Sequence, residues 1–577
     1  MKILCICDSH EAGSALIEDG KIVYAISEER LSREKGAYGF PWLSLKQMLK
    51  DTKVSPSEID VVVKGGLDYP FAYAFYNTAR NTKAGSLPNL RLDEIYNFSP
   101  LMRKFVKSLK PRKEFSEEEI REMQEIRTRS SPADKLARHF LRKLGIKAPL
   151  LYVDHHVSHV ASAYFTSGFD RAITFSLDFS GDGKSGMVAI GNKNKLHVVE
   201  AMDAYNSTGC YYSFLTKALG FRINRHEGKI TGLAAYGKPD KYYDFFKKHL
   251  WFENGKIRFE DRFGFLDKIR EFRKHDFEDL ATAGQRVFEE AIVSWVEYFV
   301  KKRRIYNVAL AGGVFSNVKL NQRIAEIKGV KSVFVFPHMG DGGLSVGAGL
   351  YYFYSQKKLR PSRISAITNV YFGPQYSDAE IEEALKKYGV KYDYHENIEK
   401  KIAELIAKDK VVARFNGRME YGPRALGNRS VLYKPTDPEV NKWLNKKLKR
   451  SDFMPFAPST LKEYGKKCYR NMANASKPAE YMAITFDCTD FMKRNGAAAV
   501  HVDNTARPQL VDRNVNPSYY KILNEFRKLT GIPLVVNTSF NMHEEPIVCS
   551  PSDAIRSFLQ GNLDYLAIGN FLAKGEE

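Results

Sequence analysis

The sequence predicts an α/β protein of at least two domains, and three observations carry that reading. At 577 residues the chain is far longer than one hydrophobic core supports. Short apolar runs at residues 173–177, 307–311 and 332–336 each deliver a loop of glycine, serine or aspartate that opens a further strand or a helix, the alternation of an α/β layer. With 44% hydrophobic and 13% aromatic residues, the chain can fill large cores and is not a largely disordered protein.

Residues 2–7 read as an apolar strand, followed by a polar turn at 8–14 and a hairpin at 15–26 around Asp19-Gly20. Residues 59–64 form another short strand. From about 70 to 140 the pattern turns helical and charged and contains an N-capped acidic helix start at 115–121. This stretch is an insertion on the first lobe, a candidate lid or partner surface. A polar, proline-containing stretch at 355–363 precedes a new pattern at 371–374, which places a boundary near residue 365, with domains at 1–365 and 366–577.

The first domain holds the densest chemistry. If Asp154 caps a helix, His155 and His159 stand one turn apart on one face, a spacing at which two imidazoles share one divalent metal. Residues 173–178 form a buried strand running into Asp178, and a glycine turn at 179–186 follows; such a strand end can hold a metal-bound phosphate. Residues 224–237, with Glu227, Lys229 and several glycines, fit a phosphate or substrate loop entering a helix. Gly312 and Gly313 let the backbone approach a flat or anionic ligand, although the stretch does not match GxGxxG and does not support a Rossmann fold. Asp341 follows the 332–336 strand, and with Asp178 and the histidines it completes a His/His/Asp/Asp set.

The second domain looks built to bind an anion. The strand at 411–415 leads into a loop, 417–430, whose three arginines and glycines suit an oxyanion, because arginine forks are bidentate and glycine admits the backbone. Residues 533–541 form a strand ending in the side-chain donors Asn537, Ser539 and Asn541.

The charge balance of 89 Lys+Arg against 68 Asp+Glu, +21 overall, fits phosphorylated substrates, nucleic acid, an anionic membrane surface or simply a lysine-rich solvated face. Six scattered cysteines with no CxxC pair indicate neither a disulfide framework nor a zinc ribbon, and a reducing compartment is the simplest reading. The first apolar run is followed at once by Asp8 and Glu11, unlike a signal peptide, and no window approaches about 18 uncharged apolar residues. A cytoplasmic protein is expected.

Seven motifs in order resemble the O-carbamoyltransferases that act on nodulation factors, cephamycin and tobramycin: DHHxSHxASA at 154–163, the 227–237 loop, MGDGG at 339–343, EYGPRALGNRS at 420–430, FMPFAP at 453–458, TARPQ at 505–509 and NTSFN at 537–541. The N-terminal strand, acidic turn and hairpin also resemble the first phosphate-binding element of the actin, hexokinase and Hsp70 superfold. The resemblance implies a Kae1-like N-terminal domain of that superfold and a YrdC-like α/β C-terminal domain. It implies that carbamoyl phosphate and ATP form carbamoyl-adenylate with release of pyrophosphate, after which the carbamoyl group passes to a hydroxyl of a sugar or natural product. His155, His159 and Asp341, with Asp178 close by, would bind a divalent metal, iron first and magnesium or manganese as alternatives. Gly312, Gly313 and Asn317 would lie against the nucleotide, with Lys229 near its phosphates. Arg424, Lys449, Arg450, Arg507, Asn537 and Ser539 would hold carbamoyl phosphate, with Lys446 or Lys447 able to replace Lys449. His10 is the first candidate base for the acceptor's proton, and Glu227 or Asp8 could position the acceptor instead. No stable nucleic-acid or membrane partner is expected, and a homodimer is left open.

Three rivals stand beside this reading. A tRNA threonylcarbamoyl-adenylate enzyme would use related folds and the positive charge, but no RNA-binding module is evident. A sugar kinase of the same superfold leaves the 420–430 and 537–541 motifs without a role. A nucleotide-binding scaffold that has lost its chemistry is opposed by the four filled metal-ligand positions.

Overall fold

The computed structural model describes residues 1–67, 115–128, 132–273, 276–356, 364–448 and 456–575. They form two compact units. One comprises Met1–Glu28 and Gly36–Ile367, the other Glu29–Lys35 and Thr368–Glu577.

The first unit is built on two five-stranded sheets of one design. In the first, β1 (Lys2–Cys7), β2 (Gly13–Glu18), β3 (Lys21–Ser27), β4 (Val61–Gly65) and β5 (Leu150–Val153) lie in the order β3-β2-β1-β4-β5. β1 runs antiparallel to β2 and parallel to β4, so it is flanked on both edges and reads as a nearly unbroken apolar run. In the second, β6 (Arg171–Gly181), β7 (Lys184–Asn192), β8 (Lys195–Asp203), β11 (Asn307–Ala311) and β12 (Ser332–Val335) lie in the order β12-β11-β6-β7-β8; the hairpin of β9 (Leu250–Glu253) and β10 (Lys256–Phe259) stands apart. Three antiparallel strands followed by two parallel ones, occurring twice, is the α/β topology of the actin/Hsp70 superfold.

The local chemistry repeats as well. The first hairpin turns at Asp19-Gly20 with φ of 48° and 77°, the second at Asp182-Gly183 with φ of 51° and 76°. Two consecutive left-handed residues match the twist of paired strands, which is why Asp-Gly recurs at both tips. The helix His155–Ser167 is buried along its whole length and packs on the helix Leu344–Ser355. Gly347 permits the approach, since a Cβ there would lie 1.8 Å from the Ser158 carbonyl oxygen.

Of the 70–140 insertion, the helix Glu117–Met123 with its Ser116/Glu119 capping box and the helix Pro132–Lys143 are described. The part of the expected charged helical stretch at 70–114 lies outside the described residues.

The second unit carries an eight-stranded mixed sheet. Its strands are β13 (Tyr392–Tyr394), β14 (Val412–Phe415), β15 (Arg429–Tyr433), β16 (Ala457–Leu461), β19 (Gln509–Val511), β20 (Leu534–Ser539), β21 (Tyr565–Ile568) and β22 (Phe571–Lys574), in the order β13-β22-β21-β14-β15-β20-β16-β19. A two-stranded pair, β17 (Phe486–Asp487) and β18 (Thr505–Ala506), lies apart. Among the described residues no helix is long and apolar enough to cross a membrane, and all six cysteines are buried and unpaired.

Candidate active site

Asp154 caps the His155–Ser167 helix as its position suggests: its Oδ1 accepts from the backbone N–H groups of His156 and Val157, at 2.9 and 3.2 Å, while its Oδ2 pairs with Lys184 at 2.9 Å. The cap fixes the first turn, so His155 and His159 project together. His156, one position on, faces elsewhere; its Nδ1 meets the Ser176 hydroxyl at 2.9 Å, and burial, reinforced by the two neighbouring imidazoles, holds its pKa well below the usual histidine value.

Asp178 reaches the same point from β6. The strand does not end there, as the sequence suggests, but continues to Gly181 with its register against β7 broken between Leu177 and Gly181. A break of this kind lifts residues out of the ladder and re-aims their side chains. Asp178 Oδ1 accepts from Phe179 N–H at 2.6 Å and its Oδ2 from Gly313 N–H at 3.3 Å. Asp341 arrives from the loop after β12, and its Oδ2 accepts from the Ser9 hydroxyl at 3.1 Å.

The four side chains converge. One ligand atom from each of His155, His159, Asp178 and Asp341 lies within 4.8 Å of all the others. His159 Nε2 is 3.0 Å from Asp178 Oδ2 and 3.5 Å from Asp341 Oδ1; His155 Nε2 is 3.7 Å and 3.5 Å from the same two atoms. Burial pushes the His155 pKa down, but Asp341 and Asp178 outweigh it and raise the value to about 9. Burial likewise opposes the charge of Asp178, yet the two neighbouring imidazoles hold it well below the usual carboxylate range. His155 Nε2 is buried without a hydrogen-bond partner. Two imidazole nitrogens and two carboxylates around one point, one nitrogen unsatisfied, are a donor set that fits a divalent cation.

The residues around this cluster are held by backbone. The His155 ring lies flat on Gly181, where a Cβ would be 2.2 Å from its Cγ, and His155 N–H donates to Asp182 at 2.7 Å. Gly312 has φ of 101° and a Cβ there would meet the Leu177 carbonyl oxygen at 2.2 Å, so only glycine fits. Asn317 is engaged within the protein: its side chain caps the helix Val318–Ala325 and exchanges hydrogen bonds with Gln285 at 2.9 and 3.2 Å. Lys229 lies in the short helix Glu227–Leu233 with its ammonium 5.8 Å from the centre of the Phe221 ring. Asp8 forms a buried ion pair with Lys64 at 3.1 Å.

His10 sits half-buried in the turn after β1, against Gly36. Glu227 accepts from the backbone N–H of Asn224 at 2.6 Å and from the Ser213 hydroxyl at 3.3 Å. Burial raises its pKa, opposed by those hydrogen bonds and by the nearby His10 imidazole.

In the second unit, the loop between β14 and β15, the 505–509 segment and the end of β20 come together. Of the loop's three arginines, Arg424 alone is uncommitted among the described residues. Arg418 donates to the carbonyls of Phe372 and Gly373, and Arg429 to those of Asn416, Asn428, Pro374 and Gly417, so both hold backbone instead of facing a ligand. Arg424 and Arg507 are half-buried, and the Nε of each is without a partner. Burial pushes Arg424 down to about 10, and burial together with the charge of Arg424 holds Arg507 well below the usual guanidinium range. Among the described residues no carboxylate relieves either one. Asn537 is oriented by its Nδ2, which donates to Ala425 O, Ser459 Oγ and Gln509 Oε1 at 3.2, 3.0 and 3.0 Å, leaving a buried Oδ1 with no partner. Ser539 donates to Asn541 at 2.6 Å. Lys449 and Arg450 lie outside the described residues, and Lys447 pairs with Asp564 at 3.0 Å.

Sequence reasoning did not single out Ser9, Gln509 or Glu420. Glu420 Oε1 accepts from the N–H groups of Leu426, Asn428 and Arg429 and so shapes the Arg424 loop. Glu420 and Gln509 stand inside the quoted motifs, and Ser9 inside the first polar turn, so position was a signal but role was not.

Residues 2–350 match the family description carbamoyltransferase N-terminus and residues 403–574 match carbamoyltransferase C-terminus. The chain is 33% identical over 596 residues to the uncharacterized protein MJ1051 of Methanocaldococcus jannaschii, covering 99% of each. It is 31% identical over 581 residues to nodulation protein NolNO of Sinorhizobium fredii, covering 98% of this chain and 79% of that one. To nodulation protein NolO of Bradyrhizobium diazoefficiens it is 33% identical over 435 residues, covering 73% of this chain and 79% of the other. With both parts of the family matched across two units that carry a four-donor cluster and an unpaired arginine pair, the chain belongs to the carbamoyltransferase family and is a carbamoyltransferase enzyme.

Proposed function

We propose that the protein is an ATP-dependent O-carbamoyltransferase. In this reading water cleaves carbamoyl phosphate to carbamate and phosphate, a carbamate oxygen attacks the α-phosphorus of ATP and displaces pyrophosphate to give carbamoyl-adenylate, and the carbamoyl group then passes to a hydroxyl of a small sugar or natural-product acceptor with AMP as the leaving group. The observation that carries it is the convergence of His155, His159, Asp178 and Asp341 beside the glycine turns of the second sheet.

His155, His159, Asp178 and Asp341 would hold a divalent cation, which would supply Lewis-acid stabilisation of phosphate charge. The chain's own groups do the rest. Phe179 N–H and Gly313 N–H hold Asp178, and Ser9 holds Asp341, so the carboxylates keep their aim. Gly312 and Gly313 keep the backbone low where a nucleotide phosphate would lie. In the second unit, Arg424 and Arg507 present two unpaired forks to the phosphate of carbamoyl phosphate, a desolvated arrangement in which arginine–oxyanion bonds are strong. The unpartnered Oδ1 of Asn537 can accept from the carbamoyl NH2. His10 takes the acceptor's proton, with Glu227 beside it to orient the hydroxyl.

The test is pyrophosphate release from ATP by the full chain, with and without carbamoyl phosphate, with added divalent metal and a pool of sugar acceptors. Pyrophosphate that depends on carbamoyl phosphate supports the reading. Release of ADP, or no turnover of nucleotide, overturns it.

A further inference from the structure

We propose that the Glu29–Lys35 segment is the support of the anion loop, with Arg30 acting as a positioning residue for Arg424; this rests on the reading of Arg424 as a carbamoyl phosphate ligand. The segment leaves the first unit after Glu28 and returns to it at Gly36, yet it packs as part of the second. Its roots are fixed in the first unit, where Glu28 N–H donates to Ala12 O at 2.7 Å and Ala12 N–H to Ala37 O at 2.9 Å. Between them the chain makes one turn of helix, Glu29–Ser32, and closes with Arg33 at φ of 61°.

Both arginines of this strap grip backbone carbonyls of the second unit. Arg30 is 5% exposed; one nitrogen of its fork donates to Gly422 O at 2.8 Å and the other meets Glu29 at 3.0 Å. Arg33 donates to Pro546 O and Ile547 O at 2.7 and 2.8 Å and lies 3.5 Å from Asp553. Gly422 stands two residues before Arg424 with φ of 127°, a backbone conformation that side chains disfavour. Glu420 clamps the far side of the turn through the N–H groups of Leu426, Asn428 and Arg429. The Arg424 turn is therefore held at both ends, by Glu420 from inside the loop and by Arg30 from outside it. The Nε of Arg424 has no partner among the described residues, so its readiness for an anion depends on these backbone clamps. A fork that bonds a carbonyl and a carboxylate at once is an arginine geometry that lysine does not reproduce.

The experiment uses the full chain and measures the carbamoyl phosphate and ATP concentrations for half-maximal pyrophosphate release in Arg30→Met, Arg30→Lys and, as reference, Arg424→Met. Arg30→Met is expected to raise the carbamoyl phosphate requirement about tenfold and Arg30→Lys about threefold, with the ATP requirement within about twofold of the parent. The unliganded melting temperature identifies variants that fail to fold, in which case Arg30→Lys decides alone. If the Arg30 variants leave the carbamoyl phosphate requirement unchanged, or move both requirements equally, while Arg424→Met raises it selectively, the positioning role is overturned and the anion site stands. If Arg424→Met itself has no selective effect, the anion-site reading falls and takes the inference with it.

Discussion

Arg507→Met separates affinity from stability. Arg507 is a half-buried cation with Arg424 beside it and no relieving carboxylate among the described residues, so in the unliganded protein its charge is opposed by burial and by a like charge. Removing it deletes an uncompensated desolvated ion and leaves an apolar chain of similar length, a change that is neutral or stabilising. If Arg507 holds carbamoyl phosphate as proposed, the same guanidinium would make charge-assisted hydrogen bonds worth about 1.5–3 kcal/mol in the complex, so its loss should weaken carbamoyl phosphate binding by about 10- to 150-fold. The expected outcome is a carbamoyl phosphate requirement raised by that factor, an ATP requirement within about twofold, and an unliganded melting temperature that does not fall. Pyrophosphate release titrated against each substrate, with a thermal scan of the unliganded variant, gives all three. A melting temperature that drops while both requirements rise together would refute the reasoning, because Arg507 would then be holding the fold.

Three further outcomes follow from the first unit. His159→Ala should lower bound divalent metal by roughly a hundredfold in affinity and abolish carbamoyl-phosphate-dependent pyrophosphate release, as metal analysis of the purified variant will register; full metal content with normal turnover would remove His159 from the ligand set. His155→Ala should behave alike, since the two imidazoles face the same carboxylates. Glu227→Gln should flatten part of the pH dependence of stability: a carboxyl whose folded pKa is raised is most stabilising below its unfolded value, about 4.3, and that contribution is lost as pH rises through the raised folded value. The variant should therefore match the parent in acid and gain on it toward neutral pH, and parallel denaturation curves at every pH would count against a raised Glu227.

What could be read from the sequence was what local spacing controls. Asp154 followed by histidines one turn apart is a helix start with two imidazoles on one face, and that is how the residues lie. The two Asp-Gly tips follow from the left-handed backbone that paired strands require. Harder to read was which side chain a tertiary neighbour had already engaged. Three arginines in one loop look equivalent on paper, but Arg418 and Arg429 are committed to carbonyls supplied by residues as distant as Phe372 and Pro374, leaving Arg424 alone. Asn317 looks like a ligand donor until Gln285, from the middle of the Phe277–Arg303 helix, is seen to occupy both ends of its amide. The Asp178 strand gave no hint of its broken register, because an apolar run does not encode where its partner slips. The path of Glu29–Lys35 was equally hidden, since nothing in a charged heptad announces a partner hundreds of residues away.

That path constrains how the chain can be made and divided. During synthesis Arg30 and Arg33 emerge first, while the carbonyls they grip lie 392 and 514 residues downstream. The strap waits through nearly the whole of translation, and the second unit gains its last clamps only when its final helix and strands are in place. A polypeptide starting at Thr368 would lack the strap altogether, so the carboxyl-terminal unit is not a cassette that a single cut can release or a gene fusion can transplant intact.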